Sequence, residues 1–133
     1  MLNPYLFFDG QCEEAIEFYR QAVGADLVML LRWKDSPDPN MSMPGKEEKI
    51  MHARFRIGDS IILASDGRCE GKPDFQGFAL SLTAPDIAAA ERMFAAISEG
   101  GHVQMPMTKT FFSPSFGMVA DKFGVSWMVY VDL

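Results

Sequence analysis

The amino-acid sequence predicts an α+β domain made of two copies of a strand-helix-three-strand unit, and three observations lead there. The order of elements read from hydrophobic periodicity starts again halfway along the chain. A nine-residue strand segment, Gly58-Asp59-Ser60-Ile61-Ile62-Leu63-Ala64-Ser65-Asp66, lies over Gly124-Val125-Ser126-Trp127-Met128-Val129-Tyr130-Val131-Asp132, with Gly, Ser and Asp coinciding and apolar residues at most other places. The chain has 133 residues and is 48% hydrophobic, enough for one domain to bury a core without disulfides or a structural metal.

The first unit, about 1–66, opens with the apolar run Tyr5-Leu6-Phe7-Phe8, suited to a buried strand. Gly10 and the acidic pair Glu13-Glu14 place a helix start near Gln11. Cys12, Ala15, Ile16, Tyr19 and Val23 give that helix an apolar face, Arg20 suits its last turn, and Gly24 supplies a left-handed C-cap. A strand is predicted from about Leu27 to Lys34, then a loop with three prolines from Asp35 to Glu48. Strands from about Lys49 to Ile57 and from Ser60 to Ser65, joined by a tight turn at Gly58-Asp59, complete the unit.

Residues 67–76, with two glycines, Pro73 and four charges, read as a linker. The second unit, about 77–133, begins with a strand from Gly77 to Leu82. Thr83-Ala84-Pro85-Asp86 resembles a capping box with proline in the first turn of the next helix. Ile87, Ala90, Phe94 and Ile97 form the buried face of that helix and Gly100-Gly101 ends it. Strands follow near His102 to Met107, Phe116 to Asp121 and Val125 to Val131, the last two joined by a turn at Lys122-Phe123-Gly124.

Alternation along the last strand sends Trp127, Val129 and Val131 to the helix side and Ser126, Met128 and Tyr130 to the other. The overlay then assigns Ile61, Leu63 and Ser65 to the helix side of the first unit and Ser60, Ile62, Ala64 and Asp66 to the opposite face. Residues 50–57 alternate as well, and put His52 and Arg54 together on the face without a helix. Two such sheets side by side are expected to curl into a cup with the helices outside, and the cup is the place for a small molecule.

Composition narrows the function classes. A formal charge of −6, with no stripe of Lys or Arg, argues against nucleic acid and against an anionic membrane surface. Cys12 and Cys69 form neither a CxxC motif nor a zinc-type spacing, so reduced thiols and a cytoplasmic location are expected. No leader-like segment and no apolar stretch of spanning length is read in the sequence.

Several blocks carry a family resemblance: Pro4-Tyr5-Leu6-Phe7-Phe8, Ala15-Ile16-Glu17-Phe18-Tyr19, His52-Ala53-Arg54, Gly77-Phe78-Ala79-Leu80, Met105-Pro106, Thr110-Phe111-Phe112, Phe116-Gly117 and Asp121-Lys122-Phe123-Gly124-Val125-Ser126-Trp127-Met128. Together they resemble the PhnB-like branch of the vicinal oxygen chelate superfamily, which includes glyoxalase I, extradiol dioxygenases, and fosfomycin and bleomycin resistance proteins. Phe112 stands where this branch often carries tryptophan. The resemblance implies a glyoxalase/bleomycin-resistance-like fold and a homodimer. It also implies, for enzymes of the superfamily, a divalent metal held by four side chains. Carried over, those places fall near Pro4 or Tyr5, on Ile62, near Gly77 or Phe78, and on Met128, none of which suits a hard or borderline divalent ion. No metal and no cofactor is therefore expected. Members of the branch are often described as resembling a demethylubiquinone methyltransferase, but this sequence has no Gly-rich strand-to-helix loop of the kind nucleotide sites use.

The candidate ligand-binding residues are His52, Arg54, Ile62, Asp66, Phe112, Met128 and Tyr130, with His52 as general base or as anchor for an anionic ligand. A solvated or dimer-facing strand surface is the plain alternative. Cys12 reads as packing, and Cys69 and His102 as exposed and incidental. Met41, Met43, Met105, Met107, Met118 and Met128 could line an adaptable apolar pocket or fill core and loops. The segments 35–48 and 108–115 are candidate lids or plain connections. Ser113, Ser115, Asp66 and Asp121 form no nucleophilic motif with either histidine. Three functions stay open: a metal-independent small-molecule binder, a glyoxalase- or isomerase-type enzyme using His52 for proton transfer, and a dimerisation module without ligand.

Overall fold

The computed structural model describes residues 1–38, 44–67 and 71–133. Met41, Met43 and Cys69 lie outside the described residues. The chain divides into two compact units, Met1–Pro73 and Asp74–Leu133.

In the first unit the elements are β1 (Tyr5–Phe8), α1 (Cys12–Val23), β2 (Asp26–Arg32), β3 (Ile50–Ile57) and β4 (Ser60–Asp66). They form a four-stranded sheet of order β1-β4-β3-β2, in which only β1 and β4 run parallel. The second unit repeats this with β5 (Leu80–Ala84), α2 (Ile87–Ser98), β6 (His102–Thr108), β7 (Phe116–Ala120) and β8 (Ser126–Val131), in the order β5-β8-β7-β6. The strand-helix-strand-strand-strand order expected of each half is thus the observed one. The two-residue turn between β3 and β4 makes those neighbours antiparallel, and α1 carries the chain from β1 at one edge of the sheet to β2 at the other.

Each helix buries one stripe on its own sheet. In α1, Cys12, Ala15, Ile16 and Tyr19 are buried against Leu6, Phe8, Ala53 and Phe55, and the Tyr19 and Phe55 rings stack at 5.9 Å. Gly24 ends α1 in the left-handed conformation at φ 71°, as its lack of a Cβ permits. In α2, Ala89, Ala90, Phe94 and Ile97 are buried.

The start of α2 departs from expectation. Asp86, not Thr83, is the N-cap and accepts from the Ala89 amide at 2.7 Å, and Pro85 precedes the cap. Thr83 and Ala84 are instead held in β5 by pairing with Tyr130 and Val131, so the strand runs two residues past Leu82; it begins at Leu80, three residues later than Gly77, which has φ 87°. With Asp86 as the cap, Ile87 falls at the first helical position and is 45% exposed. β2 likewise stops at Arg32, because the Asp35 carboxylate takes the Arg32 amide at 2.8 Å and winds Trp33–Asp35 into a 3-10 turn.

The face assignment is right for β8 and one residue out of phase for β4. Trp127, Val129 and Val131 are buried under α2 as expected. In β4, however, Ile62, Ala64 and Asp66 are the buried set on the helix side, since Ile62 and Ala64 pair with the core residues Phe55 and Ala53. The overlay had equated unlike connections. β3 and β4 are joined by the two-residue turn Gly58-Asp59, flanked by the pair Ile57 and Ser60, whereas Ala120 and Ser126 flank a longer connection between β7 and β8. A one-residue slip sends every side chain to the other face.

Candidate functional site on the open sheet faces

The face of the first sheet away from α1 carries Tyr5 and Phe7 from β1, Ile61 and Leu63 from β4, His52 and Arg54 from β3, and Met29 and Leu31 from β2. The cross-strand partners Tyr5 and Leu63, Arg54 and Leu63, Met29 and Arg54, and Leu31 and His52 fix this side. His52 and Arg54 therefore share the open face, as alternation predicts. The Tyr5 hydroxyl lies 3.0 Å from Nδ1 of His52, and Tyr5 stacks on Phe7 with ring centroids 4.7 Å apart. Sequence reasoning did not place Tyr5 beside His52. The signal was present in β1, where Leu6 and Phe8 are the core pair and their neighbours must point outward.

Ile62 and Asp66 do not belong to this face, which corrects the expectation for both. Ile62 is core. Asp66 is only 1% exposed, and its carboxylate accepts from the amides of Gly10 at 2.7 Å, Cys12 at 3.0 Å and Ile50 at 3.0 Å. It ties the end of β4 to the start of α1 and of β3, and stands in for the cap that the Gln11 side chain does not supply. Trp33 reinforces the same corner by donating its indole N–H to the Asp66 carbonyl at 2.9 Å.

Beside that corner is a cavity of about 320 Å³ lined by Gly10, Glu13, Arg32, Glu48, Lys49, Ile50 and Asp66. Its charges are satisfied within the protein. Arg32 donates to both Glu13 carboxylate oxygens at 2.7 and 3.0 Å and to the Glu48 carbonyl, and Lys49 donates to the Gly10 carbonyl. The Arg32 guanidinium holds the Glu13 carboxyl below its ordinary range.

Phe112, Met128 and Tyr130 belong to the second unit, so the expected ligand set divides between the two units. Met128 and Tyr130 lie on the face away from α2, paired with Met118 and Phe116. Phe112 meets Phe116 edge-on at 5.1 Å and is 45% exposed.

The remaining polar residues that sequence reading set aside are structural. The Asp121 carboxylate accepts from the amides of Phe123 and Val125 and from the Trp127 indole at 2.8 Å, which closes the connection before β8. Ser113 is fully buried and its hydroxyl bonds the backbone at Ser115 and Val131. Cys12 is buried and its thiol is pushed far above its ordinary range, first by burial and then by the Asp66 charge, so it packs rather than reacts. Among the described residues no three His, Cys, Asp or Glu side chains converge as a metal site, and no helix is long and apolar enough to cross a membrane.

Comparison with known proteins places this fold. The chain shares its architecture with the fosfomycin resistance protein FosX from Listeria monocytogenes (TM-score 0.67, 10% identity, 100% of this chain and 93% of that one), so the fold is of the glyoxalase/bleomycin-resistance class. Protein PA1353 from Pseudomonas aeruginosa is 42% identical with a TM-score of 0.88, over 99% of this chain and 97% of that one. A PhnB protein from Bacillus cereus, described as a putative 3-demethylubiquinone-9 3-methyltransferase, is 26% identical with a TM-score of 0.82, over 98% of each chain. Protein YjdN of Escherichia coli K12 is 35% identical over 98% of this chain and 94% of its own length. Residues 1–130 match the family described as 3-demethylubiquinone-9 3-methyltransferase, and the chain belongs to that PhnB-like family.

Proposed function

We propose that the protein binds a small organic molecule on the open face of the first sheet, with no requirement for a divalent metal. The observation that carries this is the Tyr5–His52 hydrogen bond, 3.0 Å long, on a face that also presents Phe7, Met29, Leu31, Ile61 and Leu63 beside Arg54, Arg56 and the buried Ser65. Phe7 (39% exposed), Leu31, Met29 and Leu63 offer an apolar platform. Imidazole, phenol and guanidinium offer directional contacts to one polar or anionic group. The ligand class that fits is amphipathic, with an apolar body and an oxygen-bearing end. The activity in the family's description does not carry over, because two four-stranded sheets, each with a single parallel pair at one edge, are not the doubly wound sheet that serves a nucleotide loop.

The test is a thermal-shift screen of metal-free protein against amphipathic carboxylates, phosphates and quinones. A true ligand at one hundred times its Kd stabilises by about 2.7 kcal/mol. The rise in melting temperature should be lost in His52→Ala and reduced in Arg54→Ala. A His52→Ala protein that binds a discovered ligand as well as wild type overturns the proposal.

The same hydrogen bond favours a second reading, proton transfer. Tyr5 engages Nδ1 of His52, as donor or acceptor according to the tautomer, and leaves Nε2 as the ring nitrogen that can exchange a proton with a ligand. Solvent deuterium entering a bound ligand with wild type, but not with His52→Ala, separates catalysis from plain binding.

A further inference from the structure

The second sheet carries a row of methionines that the proposed ligand site does not use. Met105 on β6 pairs with Met118 on β7, and Met118 pairs with Met128 on β8, so three thioethers stand side by side across three neighbouring strands. Paired residues share a face, and this one is opposite to α2, whose side is taken by Val119, Trp127 and Val129. Met105 is 39% exposed and the other two are half-buried, so the row is reachable from solvent. His102 pairs with Ala120, two residues along β7 from Met118, and so lies on the same face as the row.

From this juxtaposition we propose that Met105, Met118 and Met128 form a site for a soft monovalent cation, of the class of Cu(I) or Ag(I), with His102 as the imidazole on the same sheet face. Adjacent strands are about 4.8 Å apart, so the two outer methionines are separated by about twice that at the backbone. Each methionine has three freely rotating side-chain bonds, and the outer pair need only lean toward Met118 to bring three sulfurs around one ion. Thioethers are neutral and polarisable. They bind poorly to the hard or borderline divalent ions that carboxylates and imidazoles take, and well to soft d10 monovalent ions. The chain's net charge of −6 draws cations to it, and no Lys or Arg occupies the paired positions of the row. The row belongs to the second unit and the Tyr5–His52 pair to the first.

Silver(I) nitrate in chloride-free buffer is the probe, because it is soft and needs no reductant. The full chain, carrying 13C-methyl methionine, is titrated while methyl spectra are recorded, and Met118→Leu and Met29→Leu are run beside wild type. Leucine keeps the volume and apolar character of each site. The expected result is saturable movement of three of the ten methionine methyls, assigned to Met105, Met118 and Met128. That movement should be lost in Met118→Leu and kept in Met29→Leu. Silver taken up by the thiols with no methionine methyl moving overturns the site. So does movement of Met105 and Met128 that survives in Met118→Leu. The wild-type spectrum alone decides the matter if the variant misfolds.

Discussion

The Asp66 carboxylate at the end of β4 accepts the Cys12 amide at the start of α1, 3.0 Å away, and the same carboxylate also takes the amides of Gly10 and Ile50. Three parts of the first unit therefore converge on one buried anion. Asp66→Asn keeps the size but replaces one acceptor oxygen with a donor that faces an N–H. The expected loss is about 2–4 kcal/mol of unfolding free energy, measured by denaturant titration. A change below about 0.5 kcal/mol would show that the corner holds without this anion.

Cys12 sets an alkaline limit. Its thiol is held neutral in the folded protein, while in the unfolded chain it ionises around its ordinary value of 9.0. Above that pH the unfolded state gives up a proton that the native state retains, so stability falls by up to about 1.4 kcal/mol per pH unit. Cys12→Ala should flatten this part of the stability curve relative to wild type. In native protein at pH 8, iodoacetamide should label Cys12 only at the rate of opening.

Glu13 acts at the opposite end of the scale. Its pairing with Arg32 lowers its carboxyl below the ordinary 4.5. The contribution to stability is present above pH 4.5 and lost as pH falls through the lowered value. Because Glu13 is more than half exposed, the effect is small and should vanish in 1 M salt. Arg32→Met should remove the difference between low-salt and high-salt acid denaturation curves.

Two glycines mark close approaches in the second unit. A Cβ at Gly101 would run into the Ala120 carbonyl oxygen and sit 3.0 Å from Asp121 Cα, backbone on both counts. At Gly117 it would meet the Met107 sulfur at 2.5 Å and the Phe94 ring at 2.8 Å. Gly101→Ala should cost about 3 kcal/mol, and Gly117→Ala less, because a thioether can swing away. Met107→Ala should recover part of the Gly117→Ala loss and none of the Gly101→Ala loss, in thermal melts of the single and double variants.

Local signals were well written in the sequence, and long-range ones were not. The spacing of Cys12, Ala15, Ile16 and Tyr19, the glycine after α1, and the alternation of Trp127, Val129 and Val131 each depend on a few neighbouring residues, and each describes the structure. The β4 faces were misread because the phase of a strand is fixed by its partners, and the overlay with β8 ignored that the two hairpins turn differently. Asp66 looked like a ligand residue for the same reason, since its partners at Gly10 and Cys12 come from the far end of the unit. The Tyr5–His52 contact spans β1 and β3, strands with β4 between them, and no local pattern announces it. At α2, two capping sequences overlap, and pairing of β5 with β8 selects the later one by holding Thr83 in the strand.

The two tryptophans are distributed one to each half. Trp33 is anchored to the Asp66 carbonyl in the first, and Trp127 is sealed in the core of the second with its indole on Asp121. Each half thus carries its own fluorophore in a distinct setting. Emission from Trp33→Phe and Trp127→Phe proteins during chemical unfolding reports whether the halves melt as one cooperative block or in succession, a property on which any exchange of halves between chains would depend.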